Sequence, residues 1–169
     1  MPRLVLFQPD IPQNAGTMLR MAACLGVPVE IVEPAGFDVS DRNLRRAGMD
    51  YLERAGVTRH VSWRAFLEWR ASAEARIVLA TTRSALPYTE FEYRSGDVIL
   101  MGRESAGVPE DVHAAADARV LIPMQPGLRS LNVAVSAAMI LGEALRQTGG
   151  FPAPSPRDPL SPQAGRGPG

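Results

Sequence analysis

The chain has 169 residues, 46% of them hydrophobic and 21% charged, and its 18 cationic and 18 anionic side chains cancel at neutral pH. That length supports one domain with a real hydrophobic core and hardly two, and the cancelled charge excludes a global basic field as the means of attracting nucleic acid. A single cysteine, Cys24, excludes an internal disulfide and a cysteine-rich zinc framework.

The first apolar run, residues 4–7, is too short for a signal-peptide core. The longest apolar stretch, 133–142, falls short of a membrane span, so a soluble, cytoplasmic protein is expected. Arginine supplies every cation. That choice fits a GC-rich genome, and it equally fits guanidinium forks suited to phosphate and base edges.

Short β-branched runs at 4–7, 29–32, 77–81, 98–101 and 120–122 are continuously apolar, as strands covered on both faces are. Helical patterns lie between them. Asn14 is placed as the N-cap of a helix carrying Met18, Ala22 and Leu25 on one stripe and ending at Gly26. Ser62 caps a helix with Phe66 and Leu67. A last helix runs from near Leu131 to before Gly149-Gly150, with Val133, Val135, Ala137, Met139, Ile140, Leu141, Ala144 and Leu145 around most of its circumference. A helix apolar nearly all round is buried on more than one side, either in the centre of the core or against a second subunit. Strand–helix alternation predicts an α/β fold, a parallel sheet with helices on both faces. From Phe151 the chain reads FPAPSPRDPLSPQAGRGPG, which has little to bury. The expected organisation is a domain over 1–150 and a disordered Pro/Gly-rich tail over 151–169.

Several familiar sites are missing. The loop after the first strand, Gln8-Pro9-Asp10-Ile11-Pro12, carries no G-x-G-x-x-G dinucleotide fingerprint. Gly102 and Gly107 have P-loop spacing, but Val108-Pro109 follow where Lys-Ser/Thr is required. His60 and His113 have no metal-ligand spacing with each other or with Cys24, so no metal is expected and both are read as surface or local hydrogen-bonding residues.

Three polar loops interrupt the apolar scaffold, each after a strand. FQPDIPQNAGTMLRMAACLG puts Gly16, Thr17 and Arg20 on one helix face, opposite the apolar stripe. ILMGRESAGVPEDV sets Gly102, Glu104 and Gly107 in a tight turn ahead of a helix that Pro109 can start. VLIPMQPGLRSLNVAVSAA places Ser130 and Asn132 at the start of the buried helix, beside an apolar lip of Ile122, Met124 and Leu131. Taken singly, each loop also reads as ordinary punctuation: a cap, a turn, a solvated arginine. Their order after these strands is what is informative.

These segments resemble the three motifs of the SpoU branch of the SPOUT methyltransferases, and most closely its wobble-position (TrmL-type) tRNA members. IVEPAGF, LRRAGMDY and VTRH look like signatures of that subfamily. The resemblance implies a SPOUT fold whose parallel sheet ends in a C-terminal trefoil knot, a rare exception to the usual connection rules. It implies S-adenosylmethionine as cofactor, held by Ala80, Gly102, Ile122, Met124, Ser130 and Leu131. It implies a homodimer through the C-terminal helix, with each active site combining loops of one subunit and residues of the other.

The implied reaction is 2′-O-methylation of the ribose of cytidine or uridine at wobble position 34 of tRNA. Arg20, Glu104, Ser130 and Asn132 are the implied catalytic residues. Arg20 suits orientation and charge stabilisation better than proton removal, because a guanidinium is almost never deprotonated. Arg42, Arg45 and Arg46, which cluster at helical spacing, and Arg59 and Arg83, which fall near loops, are the candidates for RNA phosphate contacts; a solvated face is the alternative for each. Recognition is expected to depend on the dimer surface, favouring a compact anticodon stem-loop. Gly142 departs from the tyrosine expected at that point of the last helix. Competing readings are the same chemistry on another tRNA position or on rRNA, an inactive RNA-binding relative, and a nucleotide-binding metabolic enzyme.

Overall fold

The computed structural model describes residues 1–37 and 56–153. Arg42, Arg45, Arg46, the LRRAGMDY segment and nearly all of the proposed tail lie outside the described residues.

The chain runs β1 (Arg3–Phe7), α1 (Pro12–Leu25), β2 (Val29–Val32), β3 (Val57–His60), α2 (Trp63–Ser72), β4 (Ile77–Ala80), β5 (Val98–Met101), α3 (Glu110–Ala115), β6 (Ala118–Val120) and α4 (Val133–Thr148). The strands form one six-stranded sheet in the order β3-β2-β1-β5-β4-β6, and every adjacent pair is parallel. The alternating side-chain direction of a strand explains its apolar runs. Leu4, Leu6, Val78, Ile99 and Met101 face a core layer with Met18, Leu19 and Ala22 of α1 and Ile140, Leu141 and Leu145 of α4. Val5, Phe7, Ile77, Leu79, Val98 and Leu100 face the opposite layer, with Phe66 of α2 and Val112 of α3. Helices therefore cover both faces. Each fully buried leucine or isoleucine stabilises the layers by about 2 kcal/mol.

Local chemistry accounts for the boundaries. Ser62 Oγ accepts the Ala65 N–H at 3.2 Å and starts α2. Asn132 caps α4, its Oδ1 accepting from the N–H groups of Ala134 and Val135 at 2.8 and 3.3 Å. Gly26 and Gly149 end α1 and α4 in the left-handed region.

Two expectations need correction, and two more are narrowed. Asn14 is not a cap: Ile11 is the N-cap, Pro12 opens the helix, and Asn14 lies within its first turn. The last strand is Ala118–Val120 rather than 120–122, and Leu121 instead bridges to Pro87. VTRH is an edge strand as well as a signature, with Thr58 and Arg59 exposed. The histidines are not on the surface. His60 and His113 are both buried, and each hydrogen-bonds locally: His60 Nε2 to Glu30 Oε2 at 2.7 Å, and His113 Nδ1 to the Arg119 Nε–H at 3.0 Å.

Candidate active site

The strand order reverses between β1 and β5. From β1 the chain steps outward through β2 to β3, whereas β5, β4 and β6 occupy the other side. In open α/β sheets ligands bind beyond the carboxyl ends of strands, beside such a switch point. A cleft of about 480 Å³ lies there, within the size range of small-molecule sites.

Three strand-end segments and two helices build it. Ala80, Thr81 and Thr82 follow β4; Gly102, Arg103, Glu104 and Gly107 follow β5; Ile122, Met124, Ser130, Leu131 and Asn132 come after β6 and lead into Ser136 and Ile140 of α4; Ile11 and Asn14 come from α1. Apolar and polar groups both line its wall, the mixture typical of small-molecule sites.

The 102–107 turn is closed by reciprocal backbone bonds, Arg103 N–H to Gly107 O and Gly107 N–H to Arg103 O, each 2.9 Å. A Cβ at Gly102 would stand 2.8 Å from the Gly107 carbonyl carbon, a clash with backbone that cannot move aside cheaply. Gly107 has φ +66°, where a side chain is strained. Both glycines are thus required by the turn itself, and the turn exposes its main chain to the cleft.

Glu104 is the site's most unusual group. Burial first, and then the hydrogen-bonded Asp10 carboxylate, push its carboxyl above the ordinary glutamate value. The Asp10 carboxyl goes the other way, held at about 2 by its bonding to Glu104 and Ser105. Glu104 Oε2 accepts the Asp10 N–H at 3.3 Å, while Oε1 is buried with no hydrogen-bond partner among the described residues. An orphaned buried oxygen in a cleft wall is completed by a ligand group or by water. Across the cleft, Asn132 Nδ2 donates to Asn14 Oδ1 at 2.9 Å, so the third loop is tied to α1 through the same residue that caps α4.

Of the residues singled out from sequence, Ala80, Gly102, Glu104, Ile122, Met124, Ser130, Leu131 and Asn132 all line this one cleft. Arg20 does not. It stands on the exposed face of α1, outside the cleft wall of the single chain. Arg59 lies on the edge strand β3, its Nε and Nη2 2.8 and 2.7 Å from Glu33 Oε1, and Arg83 forks onto Glu110 Oε2 at 3.0 Å. Sequence reasoning missed Thr81, Thr82, Arg103, Ser136 and the contact roles of Asp10 and Asn14. Three of these had a legible signal: Thr81 and Thr82 directly follow a buried strand, and Ser136 lies one helical turn beyond Asn132. Among the described residues, no cluster of three or more His, Cys, Asp or Glu side chains is arranged to hold a metal.

Comparison with known proteins bears on this arrangement. The SpoU rRNA methylase family matches residues 1–142. A relative from Beijerinckia indica, a tRNA (cytidine(34)-2′-O)-methyltransferase, is 64% identical over 146 residues, covering 86% of this chain and 91% of the relative. A solved structure concerned with 2-OH methylation of C/U34 on tRNA superposes with a TM-score of 0.80 at 43% identity, covering 87% of this chain and 95% of its own. The SpoU methyltransferase AviRb from Streptomyces viridochromogenes, solved in complex with the cofactor AdoMet, gives 0.78 at 26% identity, covering 87% of this chain and 60% of its own. With the match spanning α1, the three cleft loops and most of α4, the chain belongs to the SpoU rRNA methylase family.

Proposed function

We propose that this protein is an S-adenosylmethionine-dependent tRNA methyltransferase that modifies the ribose 2′-hydroxyl of cytidine or uridine 34. The observation that carries the reading is the convergence of all six proposed cofactor residues with Glu104 and Asn132 on one cleft at the strand ends. The names of the 64% identical relative and of the 43% identical structure supply the substrate.

The donor set suits the cofactor. The cleft has the volume for a nucleoside-sized ligand, bare main chain at Gly102 and Gly107 for close approach, an apolar lip at Ile122, Met124 and Leu131, and one orphaned carboxyl oxygen. When bound there, S-adenosylmethionine supplies an electrophilic methyl group. The chain's own residues do the rest. The 102–107 and 122–132 loops hold the donor and exclude water, Ser130 and Asn132 orient polar groups beside it, and the strand ends anchor the loops for a transfer sensitive to a misplacement of about an ångström. Arg20 orients the hydroxyl or its flanking phosphate and stabilises the emerging alkoxide. It reaches the cleft of a second subunit rather than its own.

That geometry calls for a homodimer. Val135 and Met139 are 49% and 36% exposed on the outer side of α4, with Leu128 and Leu131 near its start. Exposed apolar groups of this kind suit burial against a second copy of the chain. The knot belongs to the same proposal. Leu121 exchanges bonds with Leu86 O and the Tyr88 N–H at 2.9 and 2.8 Å, and Gln147 of α4 bonds both Phe91 O and the Tyr93 N–H. The 81–97 segment thus grips the later chain at two separate points, as a threaded loop would. No helix among the described residues is long and apolar enough to cross a membrane. A cytoplasmic location belongs to the same proposal, in keeping with action on tRNA.

Incubating the protein with labelled S-adenosylmethionine and unmodified tRNA, then mapping ribose methylation, tests the reading. A single new methyl at nucleotide 34 is the expected product. Methylation elsewhere would replace the substrate, and absence of any methyl on every tRNA supplied would defeat the enzymatic reading.

A further inference from the structure

Asp10 is absent from the cleft wall, yet it joins the two turns that flank the switch point. Its Oδ1 accepts the Glu104 N–H at 3.1 Å and its Oδ2 accepts the Ser105 N–H at 3.3 Å. The Ser105 hydroxyl also donates to Oδ2. In return the Asp10 N–H donates to Glu104 Oε2 at 3.3 Å. Four bonds therefore run between residues 94 or 95 positions apart in sequence. Asp10 is pinned from behind as well. The Gly36 N–H donates to Pro9 O at 2.9 Å, and a Cβ at Gly36 would lie 2.9 Å from Asp10 Cα.

We propose that Asp10 is a positioning residue for methyl transfer, clamping the 102–107 turn so that Gly102 and Glu104 form the cleft wall. The inference rests on the reading of the cleft as the methyl-donor site. Asp10 touches no reacting atom; it acts through Glu104. Without it, the Glu104 and Ser105 N–H groups lose their acceptor, and the turn keeps its internal Arg103–Gly107 pair and the bond from Arg103 to Gln8 Oε1, neither of which holds the 104–105 main chain. A carboxylate is the fitting group, because it offers two acceptor oxygens to three donors and charge-assisted bonds are the stronger kind. Asparagine keeps one acceptor and turns the other into a donor facing donors. The low value of the Asp10 carboxyl agrees, since it remains ionised at any working pH.

Hydrogen exchange on the full chain, without ligand, reads the clamp directly. The Glu104 and Ser105 amides should exchange at least tenfold faster in Asp10→Ala and Asp10→Asn, and Asp10→Glu should restore much of the protection. With tRNA and S-adenosylmethionine, Asp10→Asn should lower kcat at least tenfold while the KM for tRNA stays within twofold. In a Glu104→Gln background the same change should cost less than twofold, because both substitutions disable one device. Unchanged amide protection would overturn the clamp. So would a kcat within twofold of wild type, or losses from Asp10 and Glu104 that simply multiply. A wild-type protein that methylates no tRNA would instead defeat the reading of the cleft, and the exchange data would still decide whether the clamp exists.

Discussion

Two clusters of hydrogen-bonded charge, one buried at the edge of the sheet and one half-buried beyond its strand ends, behave oppositely. At the β2–β3 edge, Glu30 is fully buried, and each of its oxygens has its own partner: Arg3 Nη1 on Oε1 at 2.8 Å and His60 Nε2 on Oε2 at 2.7 Å. Phe66 and Trp69 pack on the His60 ring, each with centroids 5.4 Å away, and Arg3 lies over Trp69. At the strand ends by the switch point, Asp10 and Glu104 also interlock, but one oxygen of Glu104 is left buried and unpartnered in the wall of a cleft. The first cluster closes on itself and is structural. The second is incomplete until something enters the cleft. Incompleteness beside a cavity, rather than burial of charge, is what distinguishes a site here.

The contrast can be broken most sharply at Glu30. Glu30→Ala leaves Arg3 and His60 facing an emptied interior and should cost about 3–5 kcal/mol of stability, as removal of one partner from a buried ion pair does. Urea unfolding measures it, and a loss under about 1 kcal/mol would mean the edge cluster is not structural. Glu104→Gln should reverse the pattern, with kcat falling at least tenfold, or about 1.4 kcal/mol of barrier, and little stability lost. Because the Glu104 carboxyl is pushed up in the folded protein, its favourable contribution is complete at pH values below its ordinary value and fades as pH rises through the folded one. Wild type should therefore lose ground against Glu104→Gln as pH rises above that ordinary value; parallel stability curves would count against the assignment.

Asn132 sharpens the comparison, since it serves both structure and cleft. Asn132→Ala removes the α4 cap, worth about 1 kcal/mol, and frees Asn14 from the third loop. Its melting point should drop by a few degrees, and an unchanged melting temperature would show that the cap is dispensable. The smallest effect belongs to Glu143, whose carboxyl is lowered to about 2 by bonds from Arg146 and then Gln147. That contribution is present above the ordinary glutamate value and is lost as pH falls towards 2. With Arg146 largely exposed, solvent screens the pair and keeps that contribution small. Glu143→Gln should accordingly narrow its stability gap to wild type in acid; a gap that widens there would contradict the sign.

The sheet was largely legible because its strands are buried on both faces, so the runs at β1, β2, β4 and β5 stand out as uninterrupted apolar stretches. β3 escaped for the converse reason. An edge strand with exposed Thr58 and Arg59 has no such run. Apolar residues continue past β6 to Leu121 and Ile122, but there the chain leaves the ladder to meet Pro87, a change that hydrophobicity does not record. Asn14 read as a cap because side-chain chemistry favours it there, while proline's preference for the first helical turn moved the start to Pro12. Within the cleft, the three loops were visible as polar interruptions after strands. Which side chains meet across them was not: the Asp10–Glu104 and Asn14–Asn132 bonds join residues 94 and 118 positions apart, and no local pattern encodes such a pairing. Arg20 carries the same lesson, since its proposed role depends on a second subunit.

Calorimetric titration of S-adenosylmethionine into the wild-type protein and into Gly102→Ala tests the central claim most directly. A side-chain carbon at this position meets the Gly107 backbone at 2.8 Å and displaces the turn that forms one wall. The account predicts saturable binding at one site per chain in wild type and affinity at least tenfold weaker in a Gly102→Ala protein that remains folded. Equal affinity in the two proteins, or no binding to either, would contradict it.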